Sequence, residues 1–225
     1  PMPGWVSYIE IVKLYGGVPV CVDTKPDYQL DIEAIEKAIT PKTAAILINS
    51  PNNPTGAVYT RESLERLVDL AVHHNFYIIS DEVYEKLVYG DAKHVCISSL
   101  SKEAYEHTIV INGMSKAFAM TGWRIGYSAA PADIAHGLKD IQGHTTSNGV
   151  TFIQWAAITA LENCDDDVAY MVEEYKKRRD YTFNRLTAMR GITCKNVDGA
   201  FYLLPDVSYY YGRTVNGKEI KDSFD

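Results

Sequence analysis

Cysteine is scarce in this 225-residue sequence, and Cys21, Cys96, Cys164 and Cys194 lie far apart with no CxxC pair among them. That usage argues against a disulfide framework and reads as reduced core or surface thiols of an intracellular protein, so a cytoplasmic location is expected. Positive charge is short as well. Lys and Arg number 22 against 29 Asp and Glu, for a net charge of −7, which argues against a nucleic-acid or anionic-membrane partner. No apolar run is long enough to span a bilayer, and no signal peptide is visible. No GxGxxG follows a strand-like run, which disfavours a nicotinamide-binding enzyme. The histidines (His73, His74, His94, His107, His136, His144) show no ligand spacing. No metal site is therefore expected, and a zinc or nucleophilic hydrolase is disfavoured. Internal repeats and low-complexity tracts are absent too. The chain opens at Pro1-Met2-Pro3 and closes in a polar segment, 214–225. Both ends read as cut from something longer.

What is present is an alternation of strand-like and helix-like segments. Residues 5–15 carry Val6, Ile9, Val12 and Leu14 near one helical face, and Gly16-Gly17 stops them. A short strand is predicted over 18–22. Asp31 can cap a helix with Ile32, Ile35 and Ile39 inward, and Thr60 can cap another with Leu64, Leu67, Val68 and Ala71 inward. Residues 44–48, 76–79 and 108–111 are near-continuous apolar runs, the signature of strands buried on both faces, and 126–130 reads as a further strand. This order predicts an α/β fold, a mostly parallel sheet flanked by helices. A helix is expected from Pro131 to about Gln142, then a polar loop over 143–149, then a buried helix over 152–161. Asp165-Asp166-Asp167 opens a long helix, in which Lys176-Lys177-Arg178-Arg179 reads as a solvated face. Short strands are expected at 192–194 and 201–204, with a turn at Asp198-Gly199. The long helix divides the chain into a large domain, 1–163, and a bridging helix with part of a smaller α/β domain, 164–225.

Four segments fall at the carboxyl ends of predicted strands, where α/β sheets usually bind ligands. They are Ser50-Pro51-Asn52-Asn53-Pro54-Thr55-Gly56, Asp81-Glu82-Val83-Tyr84, Met114-Ser115-Lys116, and Arg124 eight residues after the lysine. Singly, each has a plain reading: Asn53 as a turn residue, Asp81 as a strand-end cap, Tyr84 as core.

Together they resemble the class I aminotransferases, enzymes dependent on pyridoxal phosphate. The stretch Asn112-Gly113-Met114-Ser115-Lys116 through Gly122-Trp123-Arg124-Ile125-Gly126-Tyr127 is similar to the Schiff-base lysine segment of that family. Its wording resembles the branch that holds bacterial-type aspartate and prephenate aminotransferases. The resemblance runs from Trp5 to about Tyr211 and includes Gly199-Ala200-Phe201-Tyr202. It implies the large-domain fold of the pyridoxal-phosphate transferases. It also implies that Lys116 bonds the cofactor and carries a proton, and that Asp81 faces the pyridine nitrogen. Asn53 and Tyr84 would serve the ring oxygen, Arg124 would grip the phosphate, and Trp5 would stack on the ring. Gly113 stands where many members have a hydroxyl residue, leaving Ser115 or other donors to serve the phosphate.

The activity implied is ping-pong amino transfer between an amino acid and a 2-oxo acid, with aspartate as the first substrate and prephenate or aromatic amino acids next. A homodimer is implied as well. The family's N-terminal phosphate loop and its C-terminal carboxylate-binding arginine have no counterpart in the sequence. Two alternatives therefore stand beside the first: a same-fold lyase, and a cofactor-binding fragment that catalyses nothing.

Overall fold

The structure is a computed structural model that describes residues 1–223. Helix α1 (Ser7–Leu14) starts two residues later than predicted. Residues 18–22 form no strand, contrary to expectation. The nearest ladder contact is the bridge between Met2 and Asp23, just past this run, and Val18 and Val20 stay exposed. A strand needs a partner for its backbone N–H and C=O groups, and none of the described strands lies beside this one.

From Asp31 onward the chain follows its local signals. Asp31 accepts from the Ala34 N–H at 3.0 Å and opens α2 (Ile32–Ala38). After β1 (Ala45–Asn49), Thr60 accepts from Ser63 and opens α3 (Arg61–His74). Asn75, in the left-handed conformation, closes α3. Next come β2 (Tyr77–Asp81), α4 (Lys102–Glu106), β3 (Thr108–Gly113), the single turn α5 (Met114–Ala117) and β4 (Gly126–Ala129). The sheet order is β1-β2-β3-β4. The first two pairings are parallel, and β4 runs antiparallel to β3 as a mixed edge.

The main core lies where Ile48 and Ile78 meet α2 and α3. It is built from Leu30, Ile32, Ile35, Leu64, Leu67 and Phe76. The four residues predicted to line α3 are all buried. A separate cluster joins Met114 and Met120 to Ala157 and Ala160 of α7 (Thr151–Asn163), which follows α6 (Ala132–Thr145). Here the expectation of a buried helix fails. Only Ala157 and Ala160 are buried, while Phe152 and Trp155 are about two-thirds exposed (68% and 67%). An all-round apolar helix buries only the face that has a neighbour.

The long helix α8 (Asp165–Thr187) packs Met171, Val172 and Tyr175 against Tyr84, Leu87 and Ala200. Its basic run is not uniformly solvated. Lys177 is exposed and pairs with Glu174, but the Arg179 side chain keeps only 13% of its surface. Arg179 donates to the Val197 carbonyl at 2.9 Å and covers the Tyr89 ring at 4.9 Å. Sequence charge alone does not distinguish a snorkelling lysine from an arginine whose planar head stacks on an aromatic. The strands expected at 192–194 and 201–204 reduce to one bridge, Thr193 to Asp206, because no longer ladder forms there. A two-residue hairpin, β5 (Thr214–Val215) with β6 (Lys218–Glu219), follows.

Leu67 is fully buried at the centre of the main core. Leu67→Ala should cost about 2–5 kcal/mol of stability in urea unfolding; a cost below about 1 kcal/mol would contradict this account of the core.

Candidate active site

Three neighbouring strands end together and present the candidate residues. Asn49 closes β1 and stands in register with Asp81 at the end of β2, which in turn pairs with Ile111 of β3. The Asn49 amide donates to the Asp81 carbonyl at 2.9 Å, and its Oδ1 accepts from the Asn53 N–H at 2.7 Å. One buried asparagine thus fixes both the Asp81 backbone and the turn that carries Asn53. Within that turn Asn52 accepts from the Thr55 N–H and hydroxyl.

The Asp81 carboxylate is held from two sides. The Tyr8 hydroxyl donates to Oδ2 at 2.6 Å, and the Val83 N–H donates to Oδ1 at 3.2 Å. Burial pushes the Asp81 carboxyl above its ordinary range, the Tyr8 and Val83 hydrogen bonds pull it back, the Glu82 charge pushes up again and the Lys116 ammonium pulls down. Burial and then the Asp81 charge raise the Tyr8 phenol, so Tyr8 stays a donor at neutral pH.

Lys116 follows the end of β3 on α5, half-buried. Its Nζ stands 5.9 Å from the centroid of the Tyr84 ring and 5.7 Å from that of Phe201. Tyr84 meets Phe201 and Tyr202 edge-on, at 5.4 and 5.7 Å between centroids. Its hydroxyl lies 2.7 Å from the Tyr202 hydroxyl, and either of the two can donate. Burial first, and then the Tyr202 bond, raise the Tyr84 phenol, while the nearby Asn53 side chain lowers it. The structure therefore brings Asp81, Tyr84, Asn53 and Lys116 into one neighbourhood.

Ser115, Arg124 and Trp5 sit around it in different ways. Ser115 is half-buried in the first turn of α5. Gly113 packs against Gly126, and a Cβ on it would lie 3.2 Å from the Gly126 Cα and from the Ile125 carbonyl oxygen, which is a physical reason for glycine at this position. Arg124 adopts φ 52° and donates from Nη1 to the Thr121 carbonyl at 2.7 Å. Ala119 in the same loop and Ala200 beside Phe201 also have positive φ. Each such non-glycine residue costs about 1–3 kcal/mol and persists where the surroundings impose it, most often near functional sites. Trp5 is 43% exposed and meets the Tyr8 ring edge-on at 5.2 Å, so the aromatic whose hydroxyl touches Asp81 is Tyr8.

Sequence reasoning passed over Tyr8, Tyr202 and Asn49. Tyr8 could have been flagged because it lies three residues from Trp5, on the same face of the helix predicted over 5–15. Reasoning from spacing also missed that the fold brings His94 against Glu82 and Glu85, with their ligand-type atoms within 4.8 Å of one another. The Glu82 carboxylate already takes the Ser80 hydroxyl at 2.9 Å, the Ile97 N–H at 3.3 Å and the His94 ring at 2.9 Å.

Comparison with known proteins agrees with the reading of the sequence. A family model described as aminotransferase class I and II matches residues 1–219. An aspartate aminotransferase of Bacillus sp. (strain YM-2) is 49% identical over 210 residues, covering 92% of this chain and 54% of that protein. An aspartate/prephenate aminotransferase of Thermus thermophilus is 46% identical over 211 residues, covering 92% and 54%. Among solved structures, the aspartate aminotransferase from Rhizobium meliloti superposes with a TM-score of 0.95 at 34% identity, covering all of this chain and 57% of that one. The chain spans about half the length of the curated relatives it matches.

Because burial raises the Asp81 carboxyl, the folded state holds that proton more tightly than the unfolded chain. The group's contribution to stability is full below the ordinary aspartate range and is lost as pH rises through the raised value. Asp81→Asn removes this loss, and Tyr8 can accept from the new amide. In the cofactor-free chain it should raise the melting temperature at pH 7 by roughly 2–4 °C. The gain should fade as pH falls toward the ordinary carboxylate range, and a lower melting temperature at pH 7 would contradict the desolvation account.

Proposed function

The chain belongs to the class I and II aminotransferase family, and from that premise we propose that it forms the pyridoxal phosphate-binding part of an aminotransferase. In this reading residues 1–163 make the large cofactor domain, and 164–225 make a bridging helix with part of a small domain. The observation that carries it is the convergence of an amine, a carboxylate, a phenol and an amide, from Lys116, Asp81, Tyr84 and Asn53, at adjacent strand ends.

That donor set fits the cofactor. When bound, the cofactor supplies an electron sink for a carbanion formed on the amino acid. Lys116 would supply the amine that holds the cofactor and, once released from it, the base that carries the substrate proton. Asp81, fixed by Tyr8 and Val83, would face the pyridine nitrogen and favour its protonated form. Tyr84 and Asn53 would serve the ring oxygen as donors. Arg124 gives one N–H to Thr121 and keeps others of its fork for the phosphate, with Ser115 as a neighbouring donor. Trp5, just before α1, and Tyr8 on it present aromatic surface next to Asp81.

Aspartate with a 2-oxo acid is the first substrate pair, since relatives are named for aspartate and for aspartate/prephenate, and prephenate or aromatic amino acids come next. A homodimer and a cytoplasmic location belong to the same proposal. Four free thiols accord with the location, and no helix among the described residues is long and apolar enough to cross a membrane.

A visible absorption spectrum with pyridoxal phosphate, before and after aspartate, tests the reading. A band that forms and then shifts on aspartate is the expected result. A band indifferent to every amino acid would support cofactor binding and contradict catalysis by this chain, and no band would contradict both. Arg124→Ala should weaken cofactor affinity by about 10–100-fold, and unchanged affinity would move the phosphate site elsewhere.

A further inference from the structure

The helix splits its own basic run. Lys176 and Lys177 pair with Glu173 and Glu174, one turn back on α8. Tyr175, Arg178, Arg179 and Thr182 instead follow the i, i+3, i+4, i+7 spacing of one helical face. That face lines a cavity of about 250 Å³, which Tyr89 and Phe201 help to wall. The volume lies below the roughly 300–1,000 Å³ of drug-sized pockets, so it suits a small metabolite. Tyr175 and Phe201 pack on each other at 5.4 Å and give the cavity a continuous aromatic side.

The two arginines differ in what they have left to offer. Arg179 is largely spent. Its Nε and Nη2 pair with Asp180, its Nη1 donates to the Val197 carbonyl, and its head covers the Tyr89 ring. Arg178 stands with its guanidinium carbon 5.9 Å from the Tyr175 ring centroid. Among the described residues nothing hydrogen-bonds or ion-pairs with its head. Glu174, the carboxylate one turn back, is held by Lys177 at 2.6 Å. A planar fork of five donors therefore lies beside an aromatic wall, with the Thr182 hydroxyl one turn further on. Asp180 offsets Arg179, so one cation is uncompensated and matches a single negative charge.

We propose that this cavity binds a small aromatic monocarboxylate, its carboxylate on the Arg178 fork and its ring on the wall that Tyr175 and Phe201 form. The site is separate from the Lys116 neighbourhood but shares a wall with it, since Phe201 also faces the Lys116 amine at 5.7 Å. Its occupancy needs no cofactor.

Isothermal titration of the cofactor-free chain with 3-phenylpropionate in low-salt buffer tests this. The probe has a ring and a carboxylate but no amino or oxo group, so it takes no part in amino transfer. The parent, Lys176→Gln and Lys116→Ala should bind it alike. Arg178→Gln should bind at least about tenfold more weakly, and Arg178→Lys, which keeps the charge and loses the fork, should fall between. The neutral amide, 3-phenylpropanamide, should bind the parent as weakly as the acid binds Arg178→Gln. A parent that binds no probe up to about 10 mM overturns the site. Parent-like affinity in both Arg178 variants overturns it too. Loss of binding in Lys116→Ala with Arg178→Gln unaffected places the probe at the candidate active site and overturns the second one. Equal affinity for acid and amide overturns the role of Arg178.

Discussion

Gly199 lies against the turn after β1 at a distance that no side chain tolerates. A Cβ built there would fall 2.6 Å from the Pro51 Cβ and 2.9 Å from Val58 Cγ2. The Gly199 and Asp198 N–H groups both donate to the Gly56 carbonyl, at 2.9 and 3.2 Å. Gly56 itself has φ 68°, and a Cβ there would fall 2.5 Å from Val197. This clasp joins two segments more than 140 positions apart in sequence, and the candidate site depends on it. It sets Ala200 against Leu87 and Tyr89, and so carries Phe201 to Lys116 and Tyr202 to Tyr84. Arg179, bound to the Val197 carbonyl and stacked on Tyr89, fastens α8 to the same junction.

Around the clasp, polar groups are buried in chains rather than singly. Asn49 joins the turn to the Asp81 backbone, Tyr8 and Val83 hold the Asp81 side chain, and Glu82 beside it turns away to Ser80, Ile97 and His94. A buried polar group without a partner would cost about 1–3 kcal/mol, so each of these bonds also fixes where its neighbour points. The raised Asp81 carboxyl marks the residual cost of burial. That cost is tolerable in a site where a cationic ring nitrogen would meet the charge.

The sheet and its capped helices were legible because their signals are local. Asp31 and Thr60 cap as expected, Leu64, Leu67, Val68 and Ala71 turn inward, and three apolar runs become the parallel strands. The order of Asn53, Asp81, Tyr84 and Lys116 along those strand ends was readable for the same reason. What the sequence could not give depends on partners. Residues 18–22 have strand composition but only Met2 beside them, and α7 has core composition but a single covered face. Tyr202 was readable as part of a motif but not as the partner of Tyr84, since that contact spans 118 positions and exists only through the clasp. Arg179 looked like its neighbours until the Tyr89 ring was placed beneath it.

The central claim is that the fold singles out Lys116 from the other lysines of the chain. Its amine lies over two aromatic rings and within electrostatic reach of Asp81, while Lys102 and Lys177 stand 82% and 68% exposed. Treating the chain with pyridoxal phosphate at one equivalent, reducing with borohydride and mapping the peptides by mass spectrometry measures this directly. The account predicts one modified peptide, carrying Lys116. Label spread over exposed lysines such as Lys102 and Lys177, with Lys116 unmodified, would contradict it.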